Sequence, residues 1–281
     1  MVNFNGELLS DNSNFLSESN RALKYGDAVF ETIRVVNKQL LFWEDHYLRL
    51  MASMRILRMD IPMEFTMEFL EDLILKTIDA NGLALKTVRV RFTVFRNDGG
   101  FYTPKTLSVS YIIEASSLTN NFYSLSPEPF EVELFKDHWV NTGILSTLKS
   151  ANKMVNVLAG IYAKENDYNN CFLLNHNKNV VEAINGNIFV VTGKTIKTPP
   201  LVDGCLNGIL RKQLLKIISK DTEYTLEESS ISPFELQKAD EIFITNVIVG
   251  IQPVSKYRKK EYSNKVSEKL IKALNVAVRL G

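Results

Sequence analysis

The chain has 281 residues, of which 45% are hydrophobic and 23% are charged. This length exceeds the usual size of one domain, and the balance of residue types excludes both a disordered chain and a membrane-embedded one. Lysine and arginine total 33 against 32 acidic residues, which leaves a net charge of +1. So small a charge gives no electrostatic reason to expect nucleic acid or acidic lipid as a partner.

The numbers of cysteines and histidines and the first ten residues exclude further classes of protein. The two cysteines, Cys171 and Cys205, are too few for a disulfide framework, and the three histidines are not paired at metal-ligand spacing. Residues 1–10 carry no basic flank and no apolar run long enough for a signal peptide, and no later segment approaches a membrane span. We therefore expect a cytoplasmic protein without a metal or a membrane anchor, whose partner is a small molecule.

The first half of the chain predicts a lobe of strands with two helices. Runs rich in β-branched residues predict the strands, and apolar residues recurring at helical spacing predict the helices. The strands are expected over 28–36, 40–43, 87–95 and 107–113, and the helices over 44–56 and 66–80. Turns are expected at Asn37-Lys38 and at 97–100, where two glycines permit positive φ angles.

The second half predicts another alternation of strands and helices. Strands are expected over 130–135, 171–174, 187–191 and 241–245, and helices over 151–166, 208–219 and 263–280. Mixed sheets with covering helices result, which indicates an α/β or α+β architecture. The polar stretch 116–129, which holds two prolines, predicts a linker near residue 120 between lobes 1–120 and 121–281, although a loop inside one domain fits as well.

A basic cluster near the C-terminus is the one local charge run. Lys256, Arg258, Lys259 and Lys260 flank Tyr257, and Glu261 follows them. In a chain of neutral composition we interpret this cluster as a solvated loop rather than a nucleic acid site.

Several short motifs occur in a fixed order along almost the whole chain. They are the runs 25–34, 46–50, 148–152, 182–189, 198–200, 206–211 and 239–241, including Tyr25-Gly26-Asp27, Leu148-Lys149-Ser150-Ala151-Asn152 and Leu206-Asn207-Gly208-Ile209. Together they resemble the class IV aminotransferases, which are fold type IV pyridoxal phosphate enzymes. That family includes branched-chain aminotransferases, D-amino acid aminotransferases and 4-amino-4-deoxychorismate lyases. The resemblance implies a two-lobed α/β (α+β) enzyme with bound pyridoxal 5'-phosphate, an amino-group substrate and a homodimeric assembly.

The resemblance implies that Lys149 forms a Schiff base with the cofactor. Its amine can condense with an aldehyde and later move protons, and partial burial favours the uncharged, nucleophilic form. Taken alone, a lysine at a helix start more often faces solvent. The resemblance likewise implies that Glu182 contacts the pyridine nitrogen, where an anion keeps the ring protonated and strengthens the cofactor as an electron sink.

The cofactor phosphate needs cations and hydrogen-bond donors. The resemblance implies that Arg49 and the helix start at Gly208-Ile209 supply them, because backbone N–H groups at a helix start point toward an anion. Thr245-Asn246 would complete the cradle, and Asn187, in the same motif as Glu182, is also assigned to the cofactor. As alternatives, Arg49 would be a surface arginine and Gly208 an ordinary turn glycine.

Substrate-contacting residues are less well defined. We assign Phe30, Thr32 and Arg96 to the substrate. For Arg96 the reason is that a guanidinium binds a carboxylate bidentately, although this residue would equally suit a strand end in solvent. Asn152 and Lys153 either orient the cofactor or begin the helix that follows Lys149.

The reaction is less constrained than the cofactor. Thr245-Asn246 resembles the pair found in 4-amino-4-deoxychorismate lyases, which release pyruvate and 4-aminobenzoate. Met154 stands where branched-chain aminotransferases place a tyrosine. Both features favour the lyase, with an aminotransferase of branched-chain or D-amino acids as the close alternative. A catalytically inert binding protein is a third possibility, disfavoured because the motif positions carry chemically competent residues.

Overall fold

The computed structural model describes residues 1–280, apart from the side chain of Leu280. Within this range the chain forms two compact units. The first contains Met1–Asn121 and Lys149–Asn152, and the second contains Phe122–Leu148 and the chain from Lys153 onward. The division after Asn121 falls beside the boundary expected at residue 120, whereas residues 149–152, expected in the second lobe, belong to the first unit.

The first unit is built on an antiparallel sheet in the order β2-β1-β6-β5-β3-β4. Its strands are β1 Val2–Phe4, β2 Glu7–Leu9, β3 Ala28–Val36, β4 Gln39–Leu40, β5 Thr87–Arg96 and β6 Val109–Leu118. Strand β3 is buried along nearly its whole length. A strand covered on both faces needs no polar alternation, which explains why most of its residues are apolar or β-branched.

Helices pack against this sheet. They are α1 Arg21–Tyr25, α2 Trp43–Ile56 and α3 Met67–Ala80. Helix α3 begins where the Thr66 hydroxyl accepts a hydrogen bond from the Phe69 N–H at 3.2 Å. Side chains from α2, α3 and the sheet, among them Met54, Ile74 and Phe92, share one fully buried core. This core holds the strands in register for the side chains on the opposite face.

The second unit contains two five-stranded sheets, in the orders β12-β11-β10-β13-β14 and β16-β15-β7-β8-β9. The strands are β7 Glu131–Val140, β8 Asn170–Asn175, β9 Val180–Ala183, β10 Asn187–Thr192, β11 Thr195–Thr198, β12 Thr225–Glu228, β13 Glu241–Asn246, β14 Gly250–Pro253, β15 Lys256–Tyr257 and β16 Lys260–Glu261. Buried apolar residues of both sheets, including Phe172 and Ile244, form one cluster. The mixed sheets and covering helices confirm the predicted fold class.

The helices of this unit are α4 Met154–Glu165, α5 Ile209–Ile218, α6 Pro233–Lys238 and α7 Lys265–Leu280. Glu241 anchors α7, because its buried carboxylate accepts hydrogen bonds from Val266 N at 2.9 Å and Ser267 N at 2.7 Å. Burial raises the pKa of this carboxyl group, and the hydrogen bonds from Ser267 oppose that rise. The motif at 239–241 therefore has a structural explanation. None of the helices in residues 1–280 combines the length and the apolarity that a membrane crossing requires.

Several predicted bounds differ from the structure for identifiable reasons. The helix expected from residue 151 begins at Met154, since the residues before it pair with β3. The strand expected over 40–43 ends at Leu40, and α2 starts at Trp43. The basic cluster, expected as a loop, is the hairpin of β15 and β16, in which Lys256 pairs with Glu131.

Candidate functional site

Lys149 lies in a short extended segment that adds to the edge of the first unit's sheet. Ser150 forms an antiparallel bridge with Val29. The Phe30 N–H donates to the Lys149 carbonyl and the Ala151 N–H donates to the Ala28 carbonyl, both at 2.9 Å. These backbone bonds fix the lysine beside the first residues of β3.

The glycine of the Tyr25-Gly26-Asp27 motif lets this segment approach closely. Gly26 ends α1 with a φ of 62°, a conformation that favours glycine. A Cβ atom there would lie 2.4 Å from Asn152 Oδ1, and Asn152 Nδ2 donates to the Gly26 carbonyl at 3.2 Å. Two motifs that are far apart in sequence therefore fit against each other at this point. This contact also accounts for Asn152 without a direct role at a cofactor.

The amine of Lys149 and the guanidinium of Arg91 contact the same aromatic ring. Lys149 Nζ lies 4.5 Å and Arg91 Cζ lies 3.7 Å from the centre of the Phe30 ring. Phe30 is buried, so the ring limits the positions of both cations and shields them from water on one side. The predicted residues Phe30 and Lys149 are thus neighbours, and Arg91 joins them.

Arginines also occupy neighbouring positions on this face of the sheet, which we call the arginine face and define by Arg34, Arg89 and Arg91. In the register of β3 and β5, Arg34 lies directly opposite Arg89, and Arg91 lies opposite the buried Thr32. Like charges directly opposite one another repel. Burial lowers the pKa of Arg91, and Arg89 adds to this effect, whereas Glu114 opposes it. The arginine face is therefore suited to anionic groups.

Arg96, predicted to meet a substrate carboxylate, has three hydrogen-bond partners within the first unit. Its Nε donates to Asp27 Oδ2 at 2.9 Å, its Nη1 to the Arg58 carbonyl at 3.0 Å and its Nη2 to the Leu57 carbonyl at 2.6 Å. The residue is buried on the opposite face of β5 from Arg89 and Arg91. These bonds hold the Arg96 side chain in place within the first unit, and its predicted contact with a substrate carboxylate stays a prediction.

Arg49 belongs to a buried charge cluster that includes Glu31 and His46. The guanidinium binds Glu31 through two nitrogens, Nε to Oε1 at 2.8 Å and Nη2 to Oε2 at 2.5 Å. His46 Nδ1 lies 2.6 Å from Glu31 Oε2. The side chain of Arg49 is 10% exposed, so the alternative of a surface arginine is wrong. Its predicted contact with a phosphate stays a prediction.

In the second unit, Glu182 and Asn187 hold the same short segment of chain. Glu182 Oε2 accepts a hydrogen bond from the Leu206 N–H at 2.9 Å, and Asn187 Nδ2 donates to the Leu206 carbonyl at 2.8 Å. A Cβ atom on Gly208 would lie only 2.0 Å from Asn187 Oδ1. Three predicted residues therefore meet at the segment that leads into α5.

The start of α5 can bind an anion. Gly208 is its N-cap and makes no side-chain cap, and the helix begins at Ile209. The first N–H groups of a helix have no carbonyl within the helix to bind. Thr245 lies opposite Asn187 on the neighbouring strand, and its buried Oγ1 has no hydrogen-bond partner within residues 1–280. Asn246, in contrast, shapes the following turn, since its Oδ1 accepts from Ile248 N and Val249 N at 3.0 Å.

Each unit, taken by itself, carries groups of the kinds that a phosphate-bearing cofactor with a pyridine ring needs. The second unit offers helix N–H groups, an unsatisfied hydroxyl at Thr245 and a carboxylate at Glu182. The first unit offers a primary amine at Lys149. In the part of the chain that the structure describes, no group of three or more histidine, cysteine or acidic side chains could hold a metal ion.

Sequence reasoning missed Arg34, Arg89, Arg91 and the pairing of Glu31 with Arg49. Alternation along β5 could have identified Arg89 and Arg91, because they are two residues apart and so share a face. The pairing of Glu31 with Arg49 depends on how α2 packs against β3, which no local pattern indicates.

Comparisons with known proteins find similar proteins over most of the length of this chain. The sequence profile of the family Amino-transferase class IV matches residues 28–257. The chain is 28% identical over 274 residues to the Methanocaldococcus jannaschii protein named "Putative branched-chain-amino-acid aminotransferase", covering 97% of this chain and 93% of that protein. It is 27% identical to a D-alanine aminotransferase of Staphylococcus haemolyticus, covering 91% and 88% of the two chains.

Solved structures are also similar to this chain over most of its length. A branched-chain aminotransferase of Thermoproteus uzoniensis superposes with a TM-score of 0.86 at 26% identity, covering 97% of this chain and 92% of that one. A "Putative 4-amino-4-deoxychorismate lyase" of Legionella pneumophila superposes with a TM-score of 0.83 at 23% identity, covering 95% and 96%. The latter likeness concerns the fold alone.

Proposed function

Because this chain belongs to the class IV aminotransferase family, we propose that it binds pyridoxal phosphate through Lys149 and acts on an amino substrate that carries carboxylates. The observation that carries this proposal is the placement of the Lys149 amine and the Arg91 guanidinium against one buried ring, Phe30. An amine beside a cation-rich surface suits a substrate whose amino group reacts while its acid groups are held.

Different residues would bind different groups of the cofactor. Lys149 would attach to its aldehyde, and Glu182 would keep a proton on its pyridine nitrogen. The N–H groups at the start of α5, the Thr245 hydroxyl and Arg49 would bind its phosphate. When bound, pyridoxal phosphate withdraws electrons from the substrate Cα. The Lys149 amine, released on substrate binding, would then accept the proton from the substrate Cα and donate it to a different atom.

For the reaction itself we propose the lyase, which releases pyruvate from 4-amino-4-deoxychorismate. That substrate carries two carboxylates, which suits the arginine face. Thr245-Asn246 supports the lyase by resemblance, and Asn246 shapes the turn after β13. The second candidate is an aminotransferase, favoured by the names of the most similar curated relatives. Glutamate, a common amino donor, also carries two carboxylates.

A parallel assay separates these two reactions. We expect purified holoenzyme to release pyruvate from 4-amino-4-deoxychorismate in proportion to 4-aminobenzoate, without added oxo acid. The same preparation is then given glutamate with branched-chain oxo acids, or D-alanine with 2-oxoglutarate. Amino transfer without pyruvate release from the first substrate would overturn the lyase in favour of the aminotransferase.

Arg89→Gln should affect stability and substrate affinity in opposite directions. Removing one of two opposed arginines relieves repulsion worth up to about 1 kcal/mol, so the melting temperature should stay or rise by about 1–3 °C. Loss of a charge-assisted hydrogen bond of about 1.5–3 kcal/mol should raise KM by about 10-fold or more. Calorimetry and initial rates measure the two effects.

The matched control is Arg258→Gln, which removes an arginine that pairs with Glu133 in the second unit. We expect its KM to equal that of the wild type. An unchanged KM in Arg89→Gln would remove the arginine face from the substrate proposal.

A further inference from the structure

A charged carboxylate lies on the apolar side of the first unit's sheet. Glu31 is 1% exposed and points to the same face of β3 as Val29 and Ile33, which belong to the hydrophobic core. Burying a carboxylate costs several kcal/mol, and a buried ion pair is often no more stable than apolar residues of similar size. Fold stability alone is therefore a weak reason to place charge here.

The cluster fixes the orientation of one guanidinium. Arg49 and His46 are three residues apart on α2, so both side chains project from one face of the helix toward Glu31. Arg49 binds the carboxylate through Nε and Nη2, a fork that sets the plane of the group. His46 occupies Oε2 as well, which prevents the carboxylate from rotating.

The pKa shifts in the cluster favour a charged Glu31 carboxylate paired with the Arg49 guanidinium. Burial acts to raise the pKa of Glu31, but Arg49 and His46 overcome it and lower the pKa to about 2. Burial lowers the pKa of His46, although Glu31 opposes that effect. The Glu31 carboxylate is therefore ionised at neutral pH, where it pairs with the Arg49 guanidinium.

We infer that Glu31 is a positioning residue that orients Arg49 for an anionic group of the bound cofactor, with His46 holding Glu31 in place. The inference rests on the proposed function, since it takes the anion to be the phosphate of pyridoxal phosphate. A preset guanidinium binds with less loss of side-chain freedom than a mobile one. Glu31 thus acts on phosphate affinity through Arg49 without touching the cofactor.

The test compares pyridoxal phosphate with pyridoxal, which lacks the phosphate. Both are titrated into the full-length chain after removal of bound cofactor, and the ratio of Kd for pyridoxal to Kd for pyridoxal phosphate is measured. We expect Glu31→Gln to lower this ratio by about 10-fold, because charge-assisted hydrogen bonds orient the guanidinium. Its Kd for pyridoxal should stay within about 2-fold of the wild-type value, which covers ordinary indirect effects.

Companion variants distinguish positioning from a structural role. Glu31→Asp keeps the charge and should give an intermediate ratio, whereas Arg49→Gln should lower the ratio at least as far as Glu31→Gln. Combining Glu31→Gln with Arg49→Gln should lower it no further than Arg49→Gln alone. Should Glu31→Gln fail to fold, His46→Leu removes one hydrogen bond to the carboxylate and should lower the ratio by about 2-fold or more.

Glu241→Gln is the matched control, since Glu241 is also a buried carboxylate but anchors α7 in the second unit. It should lower the melting temperature and leave the ratio unchanged. A Glu31→Gln variant that melts earlier with the wild-type ratio would overturn the inference while leaving the proposed function intact. A wild-type protein that binds both compounds equally would overturn the proposed function, and the inference with it.

Discussion

Lys149→Ala should lower turnover by roughly 10,000-fold or more, the upper range for loss of a residue that acts as both nucleophile and base. The cofactor would lose its covalent attachment, and no amine would remain to move the Cα proton. The segment itself should keep its place, because it is held by backbone bonds to β3 and by Asn152 rather than by the lysine side chain. Steady-state rates on the substrate identified in the parallel assay measure the effect.

Borohydride reduction gives an independent readout of the same variant. In the wild type, reduction followed by peptide mapping should locate one modified amine, at Lys149, whereas the variant should carry no modified lysine. Lys24→Ala is the control, since Lys24 is an exposed lysine in the first unit. Undiminished turnover in Lys149→Ala, or modification at another lysine, would contradict the assignment.

Sequence reasoning identified the long elements because burial dictates their composition. The strand expected over 28–36 coincides with β3, whose residues are nearly all buried. Short strands such as β14 and β15 were missed, because two to four residues are too few for a periodic pattern. Their positions depend on neighbouring strands, as Tyr257 in β15 shows, since it is fully buried and lies opposite Val132 of β7.

In the candidate site, too, the sequence predicts best those residues whose positions depend on a local motif. Residues tied to a local motif, such as Glu182 and Gly208, lie where one strand end or one helix start positions them. The hydrogen bonds of Arg96 could not be predicted, because a residue at a strand end can face either side and its partner Asp27 is distant in sequence. The importance of Arg91 follows from the face that it shares with Phe30, which needed the register of β3 and β5.

Some motif residues contact other parts of the fold, whereas the side chain of Thr245 has a polar group without a partner in the described range. Gly26 and Glu241 serve the fold, since their contacts are with Asn152 and with the start of α7. Thr245 has a buried hydroxyl without a partner in the described range, an arrangement that costs about 1–3 kcal/mol when nothing satisfies it. Such a cost is easier to understand where a ligand completes the hydrogen bond.

Glu182→Gln should separate the electrostatic role of this residue from its structural one. The amide oxygen of glutamine can accept the same hydrogen bond from the Leu206 N–H, so the chain leading into α5 should stay in place. What is lost is the negative charge that would hold a proton on the pyridine nitrogen, and kcat/KM should fall by roughly 100- to 1,000-fold. Attachment to Lys149 should persist, as borohydride mapping would show.

The control for this variant is Glu133→Gln. Glu133 is another poorly exposed carboxylate of the second unit that accepts a backbone N–H, from Leu134 at 2.8 Å. Its replacement should leave kcat/KM near the wild-type value, because no part of the proposal depends on its charge. Equal losses in the two variants would mean that general destabilisation explains the effect, and full activity in Glu182→Gln would mean that another group protonates the ring. A selective loss at Glu182, with the cofactor still bound to Lys149, is what a carboxylate acting through charge requires.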